Sequence, residues 1–413
     1  MITYSPAPWP SVQLLLTFRK KIGVSILKIN LESDLKKCFL SVTDPRINRT
    51  KRHNLIDILV STVCAVLSGA DTWIDIVDWC EENIEWLKEY LDLPNDIPSH
   101  DTYARVFSII DSEEFEKAFF SWTSLKVKEI AKKEIISIDG KQITGSKRSG
   151  VIQQRSVLMV SAWAHEYGIS LGHISTRNQT SHGEKKTMES LIEKLNLTNK
   201  IVTLDANGAT SKIFNKLSDK KADAVIGLKG NQAGMMKLAI HMFDLKNEKI
   251  IKSRETKDRG HGRKEKRIYE MISVDDCKGY GFDQKINECK NRFPGLCSFG
   301  KVTRTREVEG KTSTEEKYYF TTLSCINDFS DSVRHNWGVE NNLHRTLDVV
   351  FREDLNRSRI GFSAENLGTV RRFAMELLKA EKKETRSLRR KRNLCNWRKE
   401  YLELVIFGAT RGN

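Results

Sequence analysis

Two short stretches, EIISIDG at 134–140 and KIVTLDANG at 200–208, decide how this chain is read. Each is a run of apolar and β-branched residues closed by an aspartate, which is the pattern of a buried strand with a carboxylate at its carboxyl end. Ligands of open α/β sheets gather at that end, so the pattern predicts Asp139 and Asp205 side by side. Two carboxylates held close repel each other unless a cation sits between them. Far downstream, the helical-looking RHNWGVENNLHRTLD (334–348) offers a third acid, Glu340, on a face shared with Trp337, His344 and Asp348 at helical spacing. Asp348, Glu353 and Asp354 are rivals for the third position. Oxygen ligands of this kind suit Mg²⁺, which takes one or two carboxylates together with substrate phosphates.

The bulk composition says where such phosphates would come from. The 413 residues carry a net charge of +15, with 30% charged and 39% hydrophobic residues. This is the balance of a globular chain with a polyanionic partner, because a positive field attracts and holds phosphate backbones. The eight cysteines include no C-x-x-C pair, which argues against a zinc site or a disulfide framework and for reduced cytosolic thiols. No apolar run is long enough to span a bilayer. The opening MITYSPAPWPSVQLLLTFRKK has its prolines and charges in the wrong order for a signal peptide.

Outward from the two aspartates, the chain divides by pattern. Residues 1–40 are weakly patterned. From 41 to 132 the periodicity is helical: NLIDILVSTVCAVLSG stops at Gly69, TWIDIVDWCEENIEWLKEYL starts from Thr72 as N-cap, and HDTYARVFSIID starts from Ser99. In the last of these, His100, Tyr103 and Arg105 are candidates for a helix entering a DNA groove. Residues 133–230 alternate strand and helix, the signature of a mixed sheet flanked by helices. Residues 231–326 read as a β-rich insertion with the basic, Gly-rich loop KDRGHGRKEKR (257–267) between strands. Helix returns over 327–380, and 381–413 reads as a basic tail. Lys229 in GLKGN and Arg259, Arg263, Lys264 and Arg267 in the basic loop are candidate phosphate contacts, joined by Trp337, His344 and Arg105 as candidate DNA contacts.

The segments DPRINRTKRHNLIDILV, IPSHDTYARVFSIID, IISIDGKQITGS, MVSAWAHEYGISLG, IVTLDANG, LKGNQ, RGHGRKEKR, YYFTTLS, HNWGVENNLH, LDVVFREDLNRSR and AENLGTVRRFAMELLK follow one another in that order. Together they resemble the H-repeat-associated, insertion-sequence transposases of the DDE class, over residues 40 to 405. The resemblance implies an α/β fold: an RNase H-like mixed sheet flanked by helices, with an N-terminal all-helical transposase-associated domain and a β-rich insertion between the second Asp and the Glu. It implies Asp139, Asp205 and Glu340 as the catalytic triad and metal ligands. It also implies two Mg²⁺ ions (Mn²⁺ substituting), double-stranded DNA of the element ends and target as partner, and a homodimer on DNA in the bacterial cytoplasm. Against that pattern, Asn207, Thr210, Asn336, Arg345 and Ala364 depart from the residues usual at their positions. Two competing readings follow: an inactive DNA-binding relic, and an RNase H-like nuclease that cuts without joining.

Overall fold

The structure, a computed structural model, describes residues 35–126, 133–147, 156–177, 181–260, 263–336 and 338–408. Trp337, His261 and the weakly patterned residues 1–34 lie outside the described residues, as does the side chain of Arg263.

The helical module is built from α1 (Leu35–Phe39), α2 (Leu55–Leu67), α3 (Trp73–Glu82), α4 (Ile84–Lys88), α5 (His100–Ile109) and α6 (Ser112–Lys126). Its boundaries follow local chemistry. Thr72 and Asp75 form a capping box at the start of α3, each side chain satisfying a backbone N–H of the other's turn. Ser99 caps α5 through the Thr102 N–H, and Gly69 ends the α2 region at a φ of +112°, where a side chain is disfavoured. The long helix expected from Thr72 onward is instead two, α3 and α4, broken at Asn83. Module and irregular segment also divide earlier than expected, because Leu35, Cys38 and Phe39 of α1 are already buried in the helical core.

One nine-stranded sheet carries the rest, in the order β3-β2-β1-β4-β5-β9-β8-β7-β6. Its strands are β1 (Ile135–Ile143), β2 (Val157–Ala164), β3 (Ile169–Thr176), β4 (Ile201–Leu204), β5 (Asp223–Leu228), β6 (Ile251–Gly260), β7 (Arg263–Ser273), β8 (Ser298–Val308) and β9 (Lys311–Thr321). The first five are mixed: β1 is antiparallel to β2 and parallel to β4, and β4 is parallel to β5. The β-rich segment forms no separate layer. Strand β9 pairs with β5 and continues the same sheet through β8, β7 and β6. The basic, Gly-rich text expected as a loop lies in the paired strands β6 and β7, whose register runs to Gly260 opposite Arg263.

Alternation along the strands sorts the two faces. Ile136, Ile138, Val202, Leu204 and Ile226 point into a core closed by α7 (Ser181–Lys194), α8 (Ser211–Asp219), α9 (Ala233–Asp244) and α10 (Asp283–Arg292). The opposite face, with Ile201, Val225 and Tyr319, packs on Phe329 and Val333 of α11 (Ile326–Asn336). By the same period, Ser137 and Asp139 of β1 and Thr203 and Asp205 at the end of β4 belong to the α11 face.

After α11 the chain runs through a π-helical turn (Val339–His344), α12 (Arg345–Val349), α13 (Ser363–Ala380), α14 (Leu388–Trp397) and α15 (Lys399–Glu403). The basic C-terminal segment is therefore no free tail. Leu394 and Cys395 are buried, and Arg392 is buried with its guanidinium donating to the Val66 and Ala70 carbonyls and to Asp71. Part of the charge that looked available for DNA instead ties this segment to α2.

Candidate active site

Strand pairing brings the first two acids together. Ile138 of β1 is opposite Leu204 of β4 in a parallel register, so the next residue on each strand, Asp139 and Asp205, emerges at the same edge. Against the sequence expectation, β1 does not end at Asp139 but continues to Ile143, still paired with β2. What ends there is the pairing with β4, and the opened seam makes the pocket. Asp205 turns away into a short 3-10 turn and accepts the Asn207 N–H at 2.9 Å.

Glu340 completes the set. Asp139, Asp205 and Glu340 all line one cavity of about 550 Å³, together with Lys229, Asn336 and Tyr318. Glu340 sits on the π-helical turn rather than on a continuous α-helix, a local irregularity that is frequent at functional sites. The rival acids are removed by their partners: Lys141 of β1 holds Asp348 at 2.7 Å, Glu353 at 3.2 Å and Asp354 at 2.9 Å.

The electrostatics are those of an uncompensated acid cluster. Burial pushes the Asp139 carboxyl up to about 7, helped by the negative charges of Asp205, Glu184 and Glu340. Among the described residues no lysine or arginine forms an ion pair with Asp139, Asp205 or Glu340. Glu184, which sequence reasoning missed, reaches this edge from α7 on the other face of the sheet. Burial and the charge of Asp205 raise its carboxyl as well. A Cβ on Gly140 would stand 2.7 Å from Glu184 Oε1, so the glycine makes room for the acid. The signal was in the sequence: glycine inside a continuing strand marks a close approach. Glu315 and Glu316 also line the cavity but are paired with Lys317 (3.2 Å) and Lys301 (3.6 Å).

Behind the acids runs a polar chain. Thr203 Oγ1 donates to Asn336 Oδ1 at 2.9 Å, Ser137 and Thr203 hydroxyls meet at 2.7 Å, and Ser137 meets His165 Nε2 at 2.8 Å. Each hydroxyl has one proton. Thr203 gives its own to Asn336, so Ser137 donates to Thr203 and His165 Nε2–H donates to Ser137. Burial, with the His335 charge, drops the His165 imidazole to about 3, so it is neutral and can hold that tautomer.

The remaining candidates divide. Lys229 is exposed on the cavity rim, and Arg105 is exposed on α5. Tyr103 on the same helix is fully buried against Ser61 and is core. His344 does not fit a DNA contact: it is 7% exposed, its Nδ1 lies 3.7 Å from Asp139 Oδ2, and burial, with the Arg372 charge, drops it to about 3. It is a neutral wall behind Asp139. Lys264 pairs with Glu307 at 3.0 Å, and Arg267 pairs with Asp258 at 3.1 Å and with Glu265, so neither offers a free charge. Arg259 remains exposed near the β6–β7 tip.

Oxygen donors without cationic partners fit a hard divalent ion in chemistry. In spacing, no group of three or more His, Cys, Asp or Glu side chains among the described residues is gathered as a finished metal cage.

With this geometry in place, the comparisons define the class. The family model described as DDE_Tnp_1-associated matches residues 36–123, the helical module. The chain is 35% identical over 377 residues to "Putative transposase YncI" of Escherichia coli O157:H7, covering 88% of this chain and 92% of that one. It is 31% identical over 379 residues to "H repeat-associated putative transposase YhhI" of Escherichia coli K12, covering 89% and 96%. This chain belongs to the H repeat-associated transposase family. Among solved structures, a piggyBac transposase synaptic complex with hairpin DNA aligns at a TM-score of 0.43 and 9% identity, over 93% of this chain and 80% of that one, a likeness too distant to bear on the site. No described helix is long and apolar enough to cross a membrane.

Proposed function

We propose that this protein is a DDE transposase with an RNase H-like core, which cuts DNA at the ends of its element and joins the freed ends to a target. The observation that carries the reading is the convergence of Asp139, Asp205 and Glu340 on one cavity from β1, β4 and the π-helical turn. The strand order β3-β2-β1-β4-β5, antiparallel then parallel, supports the core assignment.

Asp139, Asp205 and Glu340 are the residues that would hold Mg²⁺. Bound there, two such ions supply Lewis-acid activation of the attacking oxygen and charge stabilisation at the leaving 3′-oxygen. The chain's own groups do the rest. Burial and the neighbouring acids raise the Asp139 carboxyl, and a cation held there would offset that repulsion and favour the carboxylate. Lys229 on the rim offers an ammonium to a phosphate entering the cavity. The Asn336–Thr203–Ser137 chain fixes the helix leading to Glu340 against the strands leading to the aspartates, which limits the reorganisation needed when DNA binds. Hydrolysis would free a 3′-hydroxyl and transesterification would join it, with no covalent enzyme intermediate. We take the assembly on DNA to be a homodimer, so that one complex handles two ends.

The test is incubation of purified protein with its own flanking DNA, with and without Mg²⁺. Cutting and joining only with Mg²⁺ or Mn²⁺ supports the reading. Cutting without joining would make it a nuclease, and binding with neither would make it a relic.

A further inference from the structure

A second cavity, of about 830 Å³, lies apart from the acids, between α5, residues 71–73 and the segment from Arg352 to Ser363. Five arginines line it (105, 352, 357, 359 and 371) against two aspartates, Asp71 and Asp101. Asp71 is already taken by Arg392 at 2.8 Å and faces Arg352 at 3.6 Å. Arg105 and Arg357 are exposed and have no carboxylate partner among the described residues.

The walls are fixed. The Phe362 N–H donates to the Ser108 carbonyl at 2.9 Å, and Asn366 Nδ2 donates to the Phe107 and Ile110 carbonyls at 2.8 and 3.0 Å. Gly361 has a φ of +51°, and a Cβ there would come within 2.0 Å of the Ser108 carbonyl oxygen. The loop is thus stapled to α5, and its arginines are positioned without help from a ligand. Arg359 Nε donates to the Gly145 carbonyl at 3.1 Å, which ties the groove to the segment that follows β1. Asp139 and Gly145 are separated by six residues of mostly extended chain, at most about 20 Å at roughly 3.3 Å per residue.

We propose that this groove binds the phosphate backbone of duplex DNA, with Arg105 and Arg357 as direct contacts. The inference rests on the DNA-processing reading above and adds where the duplex lies. With the further reach from Gly145 to the arginine side chains added, the groove engages the duplex within roughly one helical turn of the bond held at the acids. The exposed Leu355 (71%) and Ile360 (73%) beside it raise the question of a second copy of this chain. Each copy carries +15, however, and an arginine-lined groove suits a polyanion better than a like-charged partner.

The experiment measures the affinity of the full chain for a labelled random-sequence DNA duplex across a salt series, with sedimentation in parallel. Arg105→Ala/Arg357→Ala is expected to bind at least tenfold more weakly and to flatten the slope of log affinity against log salt by about 1.8, two contacts at about 0.9 each. Arg105→Lys/Arg357→Lys should keep the slope, and Arg357→Ala alone, a change at an exposed side chain, should produce about half of the slope change. Wild-type binding with an unchanged slope in the double alanine variant overturns the groove and leaves the transposase reading standing. Altered self-association with an unchanged slope makes it an interface between copies and overturns the proposal. No duplex binding by the wild type overturns both.

Discussion

Thr203 donates a hydrogen bond to Oδ1 of Asn336 at 2.9 Å, joining the strand that ends in Asp205 to the helix that leads to Glu340. The contact is buried on the Thr203 side, and it spans the long stretch of chain that contains five strands of the sheet, β5 to β9. Asn336, one of the positions that departs from the pattern of the resemblance, is thus a working part of the site's frame.

Thr203→Val keeps the shape and removes the hydroxyl. Ser137 then loses its acceptor and Asn336 its donor, which costs about 1–3 kcal/mol for a buried polar group left unsatisfied. Thermal melting should fall accordingly. DNA cleavage should slow while duplex affinity stays the same, because Glu340 loses its tether and no surface cation changes. Equal melting and equal rates in variant and wild type would show the polar chain to be incidental.

Asp139→Asn should abolish cleavage and strand transfer and leave DNA binding intact. It should also stabilise the metal-free protein, because the wild-type carboxyl is pushed up to about 7 by burial and by Asp205, Glu184 and Glu340, and the amide removes that repulsion. Wild type should gain melting temperature on adding MgCl₂, and the variant should gain less. A variant that still cuts removes Asp139 from the chemistry.

The acid constellation was legible because strand periodicity and parallel register are local rules: once Ile138 and Leu204 pair, Asp139 and Asp205 must neighbour each other. Helix caps at Thr72 and Ser99 were legible for the same reason. What sequence could not supply was partner choice. Asp348, Glu353 and Asp354 are rivals of Glu340 in the sequence, and only the fold shows Lys141 holding all three. The basic segments at 257–267 and 381–413 read as free charge, yet Lys264, Arg267 and Arg392 spend theirs on Glu307, Asp258 and Asp71. Charge counts along a chain do not reveal which carboxylate folding brings alongside.

Glu184→Gln tests the acid missed by sequence. Its carboxylate stands over Gly140 and feels the charge of Asp205. Neutralising it should weaken the Mg²⁺-induced rise in melting temperature and raise the Mg²⁺ concentration needed for half-maximal cleavage several-fold, without changing duplex affinity. Gly140→Ala should do the same by displacing the carboxylate. If Glu184→Gln matches wild type in Mg²⁺ dependence while Gly140→Ala fails, the glycine is needed for packing alone.

Glu353 sets the acid limit of the fold. It is fully buried, with Arg372 at 2.7 Å and Lys141 at 3.2 Å. Burial alone would push its carboxyl up, but the positive charges of Arg372, Lys141 and Arg371 overcome that and hold it at about 2. A carboxyl depressed on folding contributes stability that is present above its unfolded value, near 4.5, and is lost as pH falls toward about 2. The contribution is on the order of 3 kcal/mol. Denaturant midpoints of the wild type should therefore drop between about pH 4.5 and pH 2. Glu353→Gln should be destabilised by about 3–5 kcal/mol at neutral pH, because it strands buried Arg372 without its counter-charge, and its stability should vary less over the acid window. An acid slope that survives the substitution unchanged would assign the loss to other carboxylates.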